Sequence, residues 1–411
     1  MVLGSNKPGW YRRQSVRAKA LMVAGATAGV IGLGLATALP ALADPGNTYI
    51  GGGSDTTQSI MDAFATTTGG LVASYDAVDP VTGTTNDTIS VFQNSGDSQT
   101  KRTFCRPNGS GDGVSALRYS NGSTTVTPYG STCAAGTMPV AGTTQFARSS
   151  SGPGSNASAT GVYVYVPFAY DDVALAVGPT GTTKITQANL FTFADLQTLY
   201  KNCGTVTEGG VTYWPLGSPT AQPPGSQQID LYIPQAGSGS RNFWLSTLTG
   251  STTPAVCVTS TEDAGAANPG LSLEENHGQV LTDDPVGVFP FSVGQWLYQQ
   301  ANAGTSIDVR AGALLTNLSG ISPFGNPPTD TTMNTMTFPI FRELYNVFVF
   351  NSVSGAGADA NLVRMFVNTT SALCQSAGIV RSFGFVSLAS ATQAPDACGS
   401  IAATLRAFAT P

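Results

Sequence analysis

The run 161–168, GVYVYVPF, alternates along its length and is built from β-branched and aromatic residues, so it predicts a strand. The run 173–177, VALAV, predicts a second, separate strand. Shorter β-prone runs at 48–50, 88–92, 144–147, 230–233 and 286–291 predict further strands, and 338–350 reads as a strand turning into another. Helical spacing of apolar positions marks 58–64, 114–119, 193–200, 241–248, 293–300, 362–367 and 401–408. The segment 69–87 reads as a helix end and loop, 121–142 as a surface excursion and 318–337 as a Pro/Gly/Thr-rich loop. Strands alternating with helices indicate an α/β sheet protein. No internal repeat or linker of distinct composition divides the chain, so two domains would require it to cross between them more than once.

The first 43 residues stand apart. Lys7, Arg12, Arg13, Arg17 and Lys19 precede an apolar, small-residue stretch at 20–39, and Ala41-Leu42-Ala43 follows as an A-x-A cleavage site. This pattern predicts a signal peptide at 1–43; the other reading is a single membrane anchor. No cysteine follows the apolar stretch, so no lipid anchor is expected. The chain is expected to be exported, to a periplasm or to the extracellular space or cell wall.

Composition narrows the class. The 411 residues suffice for two or three domains, and 41% hydrophobic residues suffice for a core. Only 10% are charged, which argues against disorder driven by charge. The formal net charge is −6. Cleavage after residue 43 removes five basic and no acidic residues, leaving 13 basic against 24 acidic, or −11. Nucleic acid is therefore not an expected partner.

Cys105, Cys133, Cys203, Cys257, Cys374 and Cys398 all lie in the mature chain. An even count in an exported protein favours disulfides, for which six cysteines allow fifteen pairings. Nearest-neighbour pairing, 105–133, 203–257 and 374–398, is the expected arrangement. No C-x-x-C exists and His277 is the one histidine, so no metal site or cofactor is expected.

Three times a β-prone run ends in a Gly/Ser/Thr loop that opens a helix: at 51–57, 107–113 and 235–241. A fourth polar loop, 148–152, follows a strand. Free N–H groups at a helix start, with hydroxyls and the helix dipole, suit an anion. A single such loop signifies no more than an N-cap. Several of one type, gathered at the carboxyl edge of an open sheet, point to a ligand site.

At these loops the chain resembles the type II periplasmic-binding-protein family. It is most similar to the phosphate-binding subunits of bacterial phosphate ABC transporters and the related DING proteins. Gly51-Gly52-Gly53-Ser54-Asp55 resembles the family's opening G-x-G-[AS]-T, and Gly109-Ser110-Gly111-Asp112-Gly113-Val114 resembles its G-S-S-G-G-[VI]. Phe146-Ala147-Arg148-Ser149-Ser150 resembles F-G-A-S-D, and Ala236-Gly237-Ser238-Gly239-Ser240 before Phe243-Trp244 resembles D-G-S-G-T. Pro285-Val286-Gly287-Val288-Phe289 and Phe338-Pro339-Ile340 follow in family order.

The resemblance implies an α/β fold of two lobes, a Venus flytrap joined by hinge crossovers. Lobe I would take 44–168 and, with C-terminal helices, 290–411; lobe II would take 169–289. It implies a solute-binding protein, not an enzyme, that captures a small oxyanion, phosphate first, as a monomer and presents it to an ABC permease. By position, Ser54, Asp55, Thr56, Ser110, Ser150, Ser238, Gly239 and Ser240 would face the ligand, with Asp112 and Ser149 beside them. Two family residues are replaced. The proton-accepting aspartate of the third loop is Ser150, and the arginine before the fourth loop is Pro234. Arg148 or Arg241 is the candidate replacement for the cation, and Asp55 or Asp112 for the acceptor.

Other classes carry less. A Ser-His-Asp hydrolase would have to use His277, and no G-x-S-x-G elbow exists. The stretch with Glu274, Glu275, Asp283 and Asp284 lacks EF-hand spacing and reads as a solvated acidic face, with His277 exposed in it. A secreted or surface protein that keeps the fold and binds another ligand is the alternative, and a weak phosphatase a minor one.

Overall fold

The protein is described here from a computed structural model, which covers residues 46–411 apart from 81–84, 86, 96–97, 127, 130–137, 186–190, 263–269, 271, 326–332, 334–336 and 390–395. The expected signal peptide lies outside the described residues. The principal strands are β1 (Tyr49–Gly53), β2 (Val72–Ser74), β3 (Phe146–Ser149), β4 (Tyr163–Val177), β5 (Val206–Glu208), β6 (Val211–Pro215), β7 (Gln227–Tyr232), β8 (Gly287–Ser292) and β9 (Phe341–Val349). They form one mixed sheet in the order β2-β1-β3-β9-β4-β8-β7-β6-β5. Strands β1, β2 and β3 are parallel, as are β6, β7 and β8, while β4 and β9 run antiparallel to their neighbours. The fold class is α/β, as the alternating pattern predicts.

Strand β4 differs from its prediction as two strands. It is continuous over 15 residues, all buried. The polar pair Asp171-Asp172 that suggests a break lies inside the sheet, where Asp171 meets Arg342 of β9. A buried carboxylate survives in a strand when a cation neutralises it. Residues Tyr163 to Asp172 of β4 face β9, and Val173 to Val177 face β8. β4 therefore passes from one half of the sheet to the other. The chain returns beside it, with Phe341 opposite Asp172 and Arg342 opposite Asp171.

Three helices open at the loops of interest, α1 (Gln58–Thr67), α2 (Ser110–Ser120) and α4 (Gly239–Thr249), and α3 (Phe193–Asn202) opens elsewhere and packs against α4. α1 buries Ile60, Met61 and Phe64, one helical face, against the first half of the sheet. There Phe146, Phe348 and Phe366 stack with ring centroids 5.0–6.0 Å apart. In the second half Tyr200 of α3 meets Trp244 of α4 edge to face at 5.5 Å. α3 begins in a capping box of Thr192 and Asp195, which satisfies two otherwise orphaned N–H groups.

Other expectations are corrected. The segment 69–87 contains β2. Thr88–Ser95 pairs with a second strand, Ser98–Cys105, whose polar sequence SQTKRTFC gives no apolar signal. After β9 the chain enters a short helix, Phe350–Val353, not another strand. The helix expected at 401–408 is a 3₁₀ turn, Ala403–Leu405, followed by Arg406–Ala407 pairing with β4.

Cys203–Cys257 and Cys374–Cys398 are disulfides, as nearest-neighbour pairing expects. Cys105 is disulfide-bonded, and its expected partner Cys133 lies outside the described residues. Among the described residues no helix is long and apolar enough to cross a membrane.

Candidate functional site

The four polar loops converge beside the start of β9, where Arg342 pairs with Asp171 of β4. The beginnings of α2 and α4 touch: Gly111 N donates to Gly237 O at 2.8 Å. Gly239, the first residue of α4, lies so close that a Cβ there would collide with the hydroxyls of Ser110 and Ser150. That approach explains a glycine at 239. Ser238 is the N-cap of α4, its Oγ accepting from Arg241 N at 3.0 Å.

The hydroxyls form a buried cluster. Ser110 Oγ is 3.2 Å from Ser150 Oγ and accepts from Ser150 N at 2.9 Å. Thr56 Oγ1 is 3.3 Å from Ser240 Oγ. Arg342 of β9 reaches both pairs: its Nη1 donates to Ser150 O at 3.1 Å and to Ser240 Oγ at 2.9 Å. The other edge of the guanidinium donates twice to Asp171 Oδ2, at 3.0 and 2.8 Å. Asp171 Oδ1 accepts from Ser292 Oγ and Gly294 N. Burial pushes the Asp171 carboxyl up, and Arg342 pulls it back. The guanidinium at the hydroxyl cluster thus comes from β9 and not from a loop.

Acidic groups approach from the segment before β8. Glu275 Oε2 accepts from Thr56 Oγ1 at 2.8 Å and from Ser240 Oγ at 3.1 Å. Glu274 Oε2 accepts from Asn108 Nδ2 and Gln235 Nε2, at 2.9 and 3.0 Å. Asn276 Nδ2 donates to Asp55 Oδ2 and Thr56 Oγ1, both at 3.2 Å. Burial pushes the Asp55, Asp112 and Glu274 carboxyls up to about 7, with repulsion from Glu275 adding to Asp55. The segment differs from its reading as a solvated face, because Glu275 and Asn276 are buried. His277 is likewise not an exposed residue, and burial pushes it down to about 4.

The structure brings Thr56, Ser110, Ser150, Gly239 and Ser240 together around Arg342. Asp55 joins through Asn276, and Ser238 acts as the cap of α4 beside them. Asp112 lies against Gly237. Ser54 is buried, its N donating to Arg148 O. Ser149 Oγ donates to Ser151 O within its own loop. The two expected cations are elsewhere. Arg148 is fully buried, and its guanidinium donates to Ser54 O, Gly53 O, Tyr75 O and Ser74 Oγ. It points into the protein because those carbonyls, at the ends of β1 and β2, would otherwise lack donors. Arg241 is half-buried and donates to Pro234 O at 3.0 Å.

Arg342, Asp171 and Glu275 are the site residues that sequence reasoning missed. A signal for the first two exists: a lone charge inside an apolar strand needs an opposite one, and 338–350 and 161–177 each carry such charges. Beside the hydroxyl cluster lies an open cleft of about 770 Å³, lined by Ser110, Gly111, Ser149, Ser151, Asn242 and Phe243 among others. Among the described residues no group of three or more His, Cys, Asp and Glu side chains is placed to hold a metal ion.

No family model matches the chain, and no curated protein matches it. Solved structures are similar to it, three of them as follows. An ABC-type phosphate transport receptor from Vibrio cholerae is 14% identical, covers 83% of this chain and 99% of its own, and has a TM-score of 0.39. PstS from Borrelia burgdorferi is 16% identical, with 83% and 98% covered and a TM-score of 0.37. A possible phosphate binding protein from Planctomyces limnophilus is 11% identical, with 84% and 94% covered and a TM-score of 0.37. The likeness is distant.

Proposed function

We propose that the chain is an exported solute-binding protein that captures a small oxyanion, phosphate first, and presents it to an ABC permease without doing chemistry on it. The observation that supports this reading is the convergence of the starts of α1, α2 and α4, with the hydroxyls of Thr56, Ser110, Ser150 and Ser240, on the Arg342 guanidinium. Helix starts, hydroxyl donors and one arginine together suit an oxyanion, whose oxygens accept several hydrogen bonds. In this reading 44–168 and 290–411 form one lobe and 169–289 the other, and the hinge lies at the middle of β4 and the start of β9. Ser54, Asp55, Ser149 and Ser238 sit in the loops that would close on the ligand. Asp55, Asp112 and Glu274, with pKa values of about 7, favour an anion that still carries a proton. The same carboxyls favour the second reading, a secreted protein that binds a hydroxylated neutral ligand in the same place.

Calorimetric titration of the mature chain, refolded to strip bound solute, tests the proposal. Phosphate should bind and a neutral sugar should not; the reverse selectivity would establish the second reading. Replacing Arg342→Gln together with Asp171→Asn removes both charges of the buried pair. Affinity for phosphate should then fall by about 2–5 kcal/mol, roughly thirtyfold to several-thousandfold. Unchanged affinity in a folded double variant would remove Arg342 from the site.

A further inference from the structure

The hydroxyl protons of Thr56 and Ser240 are already in use. Each hydroxyl carries one proton, and both are donated to Glu275 Oε2, at 2.8 and 3.1 Å. Arg342 Nη1 stands behind Ser240 Oγ at 2.9 Å. One carboxylate oxygen therefore sits where an oxyanion would find two hydroxyl donors, with a cation one atom further away.

We propose that Glu275 is a built-in occupant of the oxyanion seat, and that an external anion binds by displacing its carboxylate. This rests on the oxyanion reading of the site.

Three observations carry the inference. First, Glu275 is only 1% exposed, yet its Oε1 has no hydrogen-bond partner among the described residues. A buried carboxylate with permanent structural duty normally has both oxygens satisfied. Glu275 is held by half its capacity, and an unsatisfied buried oxygen favours its release to water.

Second, its backbone does not depend on it. Glu274 is fastened to Asn108 and Gln235. Asn276 is fastened on several sides, with Nδ2 on Asp55 and Thr56, Oδ1 accepting from Ser292 N, and its carbonyl accepting from Gln299 Nε2. With neighbours anchored on both sides, the Glu275 side chain can leave the seat while the segment stays in place.

Third, the seat is crowded with like charge. Glu275 raises the pKa of both Asp55 and Glu274 by repulsion. Its departure relieves both, and an incoming anion that still carries a proton restores less of that repulsion than a fully ionised one.

A seated Glu275 reduces the apparent affinity for any anion by the fraction of molecules in which the seat is open. It also sets selectivity. An external anion must outcompete a carboxylate that is always at hand, so an anion that binds no better than a carboxylate gains little.

Glu275→Ala and Glu275→Gln, refolded beside the wild type, test the proposal with two probes, phosphate and formate. Formate is a free carboxylate of the kind that Glu275 supplies. In Glu275→Ala, phosphate should bind at least about tenfold more tightly than in the wild type. Formate should raise the melting temperature of Glu275→Ala and leave that of the wild type unchanged, because only the emptied seat binds it. Glu275→Gln, which keeps the side chain's shape, should show a smaller gain for phosphate and remains the test if the alanine variant does not fold. A formate response without phosphate binding would support the internal occupant and overturn phosphate capture. Equal phosphate affinity in wild type and variants, or no response of either variant to either probe, would overturn the proposal.

Discussion

Two arginines with similar burial have opposite duties. Arg148 donates to three backbone carbonyls and one hydroxyl, none of them in the cluster around Arg342. Asp62 and Asp76 offset part of the burial that lowers its pKa. Removing it leaves those carbonyls without their donor and the two carboxyls without a nearby cation. Arg148→Ala should therefore cost about 3–5 kcal/mol of stability, the range seen when one member of a buried charged group is deleted. Urea denaturation checks this; a loss under about 1 kcal/mol would show that water replaces the guanidinium. The sequence places Arg148 in the correct loop, since position 148 does adjoin Ser149 and Ser150. It carries no sign of direction. In a strand, neighbouring residues point to opposite faces, and a one-residue difference decides between the hydroxyl cluster and the interior.

At the level of elements, the contact of α2 with α4 depends on the missing side chain at 239. Gly239→Ala would push a methyl group against Ser110 and Ser150. Overpacking of this kind costs about 1–3 kcal/mol, so phosphate affinity should fall by roughly fivefold to 150-fold. Calorimetric titration reads the loss; wild-type affinity would mean that the two helix starts bind a ligand without touching. Glycine at 239, like the loops that contain Ser110 and Ser240, is legible in the sequence because helix starts have a chemical signature. The pairing of β4 with β9 is not. Asp171 and Asp172 interrupt the apolar run and read as a loop, and only Arg342 of the neighbouring strand explains why Asp171 is buried. Ser98–Cys105 escapes for a related reason: a strand with a polar sequence is identified by its hairpin partner. The C-terminal strand Arg406–Ala407 has apolar spacing that fits a helix, and its pairing with β4 overrides that preference.

For the molecule as a whole, burial of carboxyls sets the response to pH. Asp55, Asp112, Glu274 and Glu343 titrate at about 7 and Asp62 at about 8, whereas in the unfolded chain such groups titrate near 4. Their folded values are raised, so the stability they contribute is fully present below about 4 and is lost as pH rises through 7–8. His277 acts the other way. Its folded value of about 4 is depressed, so its contribution is present above roughly 6.5 and lost as pH falls through 4. Five carboxyls outweigh one imidazole, and the melting temperature should fall from pH 5 to pH 8. A rise over that interval would show that these carboxyls are ionised and solvated in the folded protein.

The continuity of β4 also bears on how heat takes the molecule apart. One end of this strand is hydrogen-bonded to β9 and the other to β8, and Leu314–Leu315, Val386–Ser387 and Arg406–Ala407 add to it from distant parts of the chain. Neither half of the sheet can melt and leave the other a complete edge. Scanning calorimetry should record a single endotherm whose van't Hoff and calorimetric enthalpies agree.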